Sequence, residues 1–224
     1  MDEKVELLKA YPLKEAIELI TGMPKLKFNE SIDISVNLGV DPKKSDQNVR
    51  GSSSLPHGIG KVSKVAVFAE GDDAKAAKKA GADIIGYEDL IEEIKKNKDL
   101  EADIVIATPD CMKLLGQLGR ILGPKNLMPN PKEGTVTKNI EEAVENAKKG
   151  QIRYKTDKAG IIHTTIGKVD FDVTKLAENV YALIEDLIKA KPSTAKGKYM
   201  KNITLSSTMG PGIKVDLSTV EVSK

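Results

Sequence analysis

Residues 31–61 read SIDISVNLGVDPKKSDQNVRGSSSLPHGIGK. In the first eight, Ile32, Ile34, Val36 and Leu38 are apolar while Ser31, Asp33, Ser35 and Asn37 are polar. A period of two sends successive side chains to opposite faces, so this is a half-buried strand with one polar face. The remainder carries two prolines, four glycines and very little that suits a core. Irregular segments of this length are either disordered or functional. The turn chemistry at Asp41-Pro42 and Pro56-His57-Gly58 favours order. The expectation is an ordered working surface without regular structure, attached to a strand.

Downstream the pattern changes. From Lys64 to Gly123 the chain cycles through KVAVFA, DDAKAAKKAG, ADIIG, YEDLIEEIKKNK, ADIVIATPD and CMKLLGQLG. Short, nearly continuous apolar runs alternating with helical segments indicate a parallel sheet wound with crossover helices. GRILGPKNLMPNPKEGTV, residues 119–136, then breaks regular structure with three prolines and three glycines. A helix over 139–149, a strand over 151–155, a turn at 157–160, a strand over 161–166 and a long helix over 172–190 follow. That helix has an apolar stripe of Leu176, Val180, Leu183, Ile184 and Leu187. Upstream, 3–10 and 12–20 read as helix, broken at Tyr11-Pro12.

Near the end, Asn202, Thr204, Ser206 and Thr208 alternate with Ile203, Leu205, Ser207 and Met209. This second strand matches the first, and two such strands in one sheet would form an uncharged, hydroxyl-rich platform. The predicted fold class is therefore α/β and α+β in two domains: a split α+β domain made by both ends, 1–63 and 157–224, and an inserted Rossmann-like parallel-sheet domain, 64–156.

Composition narrows the function. Of 224 residues, 40% are hydrophobic and 30% charged, enough to bury a core. No apolar run is long enough to span a membrane, and the N-terminus lacks the pattern of a secretory signal, so a soluble cytoplasmic protein is expected. The single cysteine, Cys111, fits a reducing compartment, and His57 and His163 have no metal-ligand spacing. The net charge is only +2, and residues 67–156 nearly cancel with 15 basic and 16 acidic side chains, so the basic excess lies in the flanks. With no tryptophan and 4% aromatic residues, a platform that stacks successive single-stranded bases is not expected.

The usual nucleotide motifs fail. A Walker loop ending at Gly60-Lys61 would need glycine where Leu55 stands and a hydroxyl where Val62 stands. The turn after the first strand of the α/β unit carries Asp72 and Asp73, which would repel a pyrophosphate. No nucleophile elbow or nucleophile–histidine pair appears, so no enzyme and no cofactor is expected. What gathers in the loops is hydroxyl, amide and lysine, groups that bind rather than react. Folded RNA presents a shallow minor groove lined with 2′-hydroxyls, read mainly by shape. A polar strand face carrying Ser35, Asn37 and Asn202 could approach it closely, with Lys43, Lys44, Arg50, Lys61 and Lys168 meeting phosphates at the edge. The rival reading is a nucleotide or small-molecule site in the α/β unit with 119–131 as its lid.

Four segments carry a family resemblance: LGVDPKKSDQNVRGSSSLPHGIGK, ATPDCMKLLGQLGRILGPKNLMPNPKEGTV, DKAGIIHTTIGKVDFD and TLSSTMGPG. In this order they resemble the bacterial ribosomal protein L1 family over about residues 11–215. The resemblance implies a two-domain protein of the mobile side stalk of the large subunit, monomeric off the ribosome. It implies three partners: a helical junction in large-subunit rRNA, exit-site tRNA whose release it assists, and its own operon mRNA, which it represses. It also implies RNA contacts at Ser207, Thr208, Met209 and Gly210, with Glu30, Ser35 and Asn37 contributing from the first strand. Two departures are the start MDEKVELLKAYP, which lacks a longer basic segment, and KKNKDLEAD, which lacks a glycine-tryptophan pair.

Overall fold

The computed structural model describes residues 9–220 apart from 25, 45, 62, 98 and 99. Most of the helix expected over 3–10 lies outside the described residues. In chain order the first elements are α1 (Leu13–Thr21), β1 (Ser31–Leu38), β2 (Arg50–Ser54), β3 (Val65–Phe68), α2 (Asp72–Lys79), β4 (Ile84–Gly86), α3 (Glu88–Asn97) and β5 (Ile104–Ala107). There follow α4 (Met112–Leu115), α5 (Gly119–Leu122), α6 (Ile140–Lys148), β6 (Gln151–Lys155), β7 (Ile161–Lys168), α7 (Val173–Lys189), β8 (Met200–Ser207) and β9 (Ile213–Val215). The chain divides into two compact units, 1–60 with 152–224, and 61–151.

The first unit is an α+β layer built on an antiparallel sheet of order β7-β1-β8-β9. The expected alternation holds: Ile32, Ile34, Val36 and Leu38 are buried and their polar neighbours are not. Ile203 and Leu205 of β8 and Ile162 and Ile166 of β7 join them on one face. Helices α1 and α7 cover that face. The α7 stripe Leu176, Val180, Leu183, Ile184 and Leu187 is buried throughout, each side chain contributing roughly 1.5–3 kcal/mol relative to exposure. The β9 edge is closed by Tyr11, whose N–H donates to Lys214 O while its carbonyl accepts from Asp216 N–H.

Two differences from the sequence expectations concern β2. Residues 50–54, inside the segment expected to be irregular, form a strand paired with β6. Its buried positions are Gly51 and Ser53, not aliphatic residues. A side chain at 51 would collide with the Tyr154 ring, and Ser53 Oγ donates to Asp186 Oδ2 at 2.6 Å. Val49 and Leu55, at either end, are in the core. Because β6 pairs with β2, the unit boundary falls at 151/152 rather than 156/157. The other falls at 60/61 rather than 63/64.

The second unit is α/β. Its sheet has the order β4-β3-β5, all parallel, with α2 and α3 as crossovers. Both faces are covered, as all-apolar strands require. Ala66 and Phe68 meet Leu90, Ile94 and Leu115 on one side, and Val65 and Val67 meet Ala77, Ile140 and Val144 on the other.

Candidate nucleic-acid interface

The face of the four-stranded sheet opposite α1 and α7 is the polar phase of three strands in register. Across β1, Asp33 lies between Thr165 and Ser206, Ser35 between His163 and Thr204, and Asn37 between Ile161 and Asn202. Thr165 Oγ1 donates to Asp33 Oδ1 at 2.6 Å, and Ser35 Oγ lies 3.1 Å from His163 Nδ1. Lys214 of β9 stands opposite Thr204. Short side chains tied to one another make this a flat floor of donors and acceptors with little side-chain entropy left to lose.

At one end of the floor the turn 208–210 is locked onto the start of β1. Thr208 N–H donates to Ser31 O at 3.1 Å, and Ser31 N–H donates to Thr208 Oγ1 at 3.1 Å. The Glu30 carboxylate, only 8% exposed, accepts from Met209 N–H at 2.9 Å and from Ser207 Oγ at 3.4 Å. Gly210 N–H closes the turn on Ser207 O. A Cβ at 210 would overlap Ser207 Oγ and crowd Met23 Sδ, so the close approach requires glycine. The turn thereby holds Met209 outward, 68% exposed. A cleft of about 240 Å³ is lined by residues 26–30, Val169 and Asp170, and Phe28, in its wall, is 53% exposed.

The expected residues fall into three groups. Ser35, Asn37 and Asn202 lie on the floor, Lys168 at its edge opposite Ser31, and Thr208, Met209 and Gly210 on the turn. Glu30 and Ser207 are buried beneath that turn and hold it rather than face solvent. The remaining cations lie elsewhere: Lys43 and Lys44 are exposed in the loop after β1, Arg50 is on β2 in the separate two-stranded sheet, and Lys61 belongs to the second unit. The Lys61 ammonium binds Asp103 Oδ1 at 2.7 Å, and this bond is the main reason the Asp103 carboxyl sits below its ordinary range.

Sequence reasoning did not single out Phe28, Ser31, Asp33, His163 or Thr165, which the structure places on or beside the floor. Asp33 and Ser31 were visible in the alternation, and His163 could have been found from the polar phase of β7. An exposed phenylalanine carries no sequence mark. At the far end of the floor Asp157 is held below the usual carboxylate range, first by Ile161 N–H, then by Ala159 N–H and the neighbouring His163.

The second unit offers less. Its cleft beside α6 sets one cation, Lys138, against four carboxylates, Asp73, Glu141, Glu142 and Glu145, a net-negative lining that is a poor seat for a phosphate. Residues 119–136 pack onto this unit: Leu122 and Leu127 enter the core, Thr135 Oγ1 accepts from Asn130 N–H, and Val136 bridges Ala107. Among the described residues no cluster of His, Cys, Asp or Glu could hold a metal, and no helix is long and apolar enough to cross a membrane.

Fold and candidate site together describe a two-unit protein, one unit α+β and one α/β, whose α+β unit presents an open, hydroxyl-rich sheet face with a pinned turn at its end. Comparison with known proteins supplies the family. Residues 14–211 match the model of the ribosomal protein L1p/L10e family. The large ribosomal subunit protein uL1 of Coxiella burnetii is 60% identical over 218 residues, covering 97% of this chain and 94% of that protein. Those of Psychrobacter sp. and Alcanivorax borkumensis are 59% and 58% identical, over 99% and 96% of this chain and 95% and 92% of theirs. The chain belongs to the ribosomal protein L1p/L10e family.

Proposed function

We propose that this chain is a non-enzymatic, rRNA-binding component of the large ribosomal subunit in the cytoplasm, acting at the mobile side stalk. The observation that carries this reading is the polar floor of β1, β7 and β8 with the Thr208–Gly210 turn pinned at its end. The split α+β domain holds the RNA. Hydroxyl and amide groups on the floor meet 2′-hydroxyls across a minor groove, and Asp33, an acceptor, suits a hydroxyl donor that DNA lacks. Exposed Met209 lies against a sugar or base face, while Thr208, already bonded to Ser31, sets its direction. The same floor serves the rRNA junction and a messenger segment that imitates it, which gives repression of the chain's own operon. Assistance to departing exit-site tRNA belongs to the stalk as a whole, in which the chain sits as a monomer.

Binding of the full chain to transcribed stalk rRNA at fixed salt tests the proposal. Thr208→Val and Met209→Ala should each weaken binding by about 1–3 kcal/mol, the cost of an unmet polar or apolar contact. Parent-like affinity in both, or no binding by the parent, refutes it.

A further inference from the structure

The floor has a second end. Beyond Leu38 three loops converge, and the contacts joining them are specific. Gly39 N–H donates to Tyr199 O at 2.6 Å, and Leu38 N–H donates to Gly160 O at 3.0 Å. Gly160, at φ +80°, allows residues 157–160 to lie against the Val40 carbonyl and the Pro42 ring. Gln47 is the clasp: its Oε1 accepts from Asp41 N–H at 2.8 Å and its Nε2 donates to Thr194 O at 3.3 Å. Loops 39–47, 157–160 and 194–199 are thus tied into one body with the first residues of β8.

These loops carry Lys43, Lys44, Lys158, Lys196 and Lys198, and the start of β8 adds Lys201, all exposed. Among the described residues none of the six is in an ion pair, whereas Lys149, Lys175 and Lys189 on the helices each find a carboxylate three or four residues away. The same loops hold three aspartates. Two of these are committed to turn geometry: Asp41 accepts from Lys43 N–H, and Asp157 accepts from Ala159 and Ile161 N–H. The composition is what a phosphate backbone asks for and what folding alone does not, since crowded like charge is unfavourable without a counter-charge.

We infer that this lysine cluster is a second RNA-contact surface, engaging the phosphates of a further segment of the same folded RNA that the Thr208–Gly210 turn holds. The inference rests on the RNA-binding reading above. The eight residues of β1 separate the two ends, and at about 3.3 Å per residue they set the contacts roughly 23 Å apart. One nucleotide cannot bridge that span. A folded RNA presenting two segments can, with the hydroxyl floor between them. The turn then supplies shape and specificity, and the cluster supplies charge and orientation.

The two roles separate in a salt titration. Each phosphate contact contributes about 0.7–0.9 to the slope of log affinity against log salt. In the full chain, Lys158→Gln with Lys198→Gln and Lys201→Gln should flatten the slope for stalk rRNA by roughly 2–3. Between about 50 and 200 mM salt, the fall in affinity should then be roughly 20- to 40-fold smaller than for the parent. Thr208→Val with Met209→Ala should weaken binding at every salt concentration and leave the slope as it is. A triple lysine variant with the parental slope overturns the inference. Failure of the parent itself to bind stalk rRNA overturns the function on which it rests, a distinct outcome. Thermal melting of the triple variant should match the parent, because all three side chains are exposed and unpaired.

Discussion

Glu30→Ala is the sharpest test of how the turn is held. The carboxylate is nearly sealed from water, and its Oε1 is the acceptor for Met209 N–H at 2.9 Å and Ser207 Oγ at 3.4 Å. The first is a bond of ordinary, well-formed length; the second is near the limit of a hydrogen bond and adds little. Truncation leaves the Met209 amide without its acceptor beneath a closed turn, which costs about 1–3 kcal/mol, so a loss of about 2 kcal/mol in urea unfolding is expected. Glu30→Gln keeps an acceptor oxygen in place and should cost less than half as much. Hydrogen exchange then reads the turn directly: the Met209 amide should lose protection beyond the global change in Glu30→Ala and keep most of it in Glu30→Gln. RNA affinity should follow the amide, weak for Ala and close to parental for Gln. Equal RNA loss in both variants with the Met209 amide still protected would refute the positioning role and place the carboxylate on the RNA itself.

Asn179 is fully buried on α7, accepts from His57 N–H and donates to Gly58 O and Ile166 O, so Asn179→Leu should cost roughly 3 kcal/mol by denaturant unfolding as three backbone groups lose their partner. The Tyr199 phenol is pushed up to about 12, first by burial and then by Tyr154, and the Tyr154 phenol is raised by burial and Asp186. The folded state favours the protonated phenol, so this stabilisation is complete below the ordinary value near 10 and disappears as pH rises through about 12. Phenolate absorbance should therefore show two of the five tyrosines ionising late, together with unfolding. The Tyr199 hydroxyl has no hydrogen-bond partner among the described residues, so Tyr199→Phe should leave neutral-pH stability unchanged or raise it by up to about 1 kcal/mol.

What could be read beforehand followed from periodicity. Alternation over 31–38 and 202–209 marks two strands sharing a polar phase, and the apolar runs at 65–68 and 104–107 mark a doubly covered parallel sheet. β2 escaped because its inward positions are glycine and serine, chosen by Tyr154 and Asp186, residues far away in the chain. Glu30 and Ser207 carried a different lesson. A motif identifies which residues matter to a turn but not which of them stay open to solvent: Glu30 and Ser207 are buried, each against the other. Arg50 and Lys61 likewise read as free cations until pairing placed one on a second sheet and the other beside Asp103.

The same non-locality governs how the interface comes into being. β1 pairs only with β7 and β8, whose residues lie more than 120 positions further along the chain. Such closures are slow because loop entropy must be overcome before any contact offsets it. The floor therefore cannot exist in a partial chain that stops short of β8, and the turn that aims Met209 needs Glu30 and Ser207 together. The second unit, whose strands pair within 61–151, has no such dependence and can fold on shorter-range contacts alone. Inserting it between β2 and β6 lengthens the connection from β1 to β7, yet doubling a loop costs only about 0.6 kcal/mol. A floor built from distant strands thus tolerates an insert at small thermodynamic expense, and it forms only when the first unit is complete.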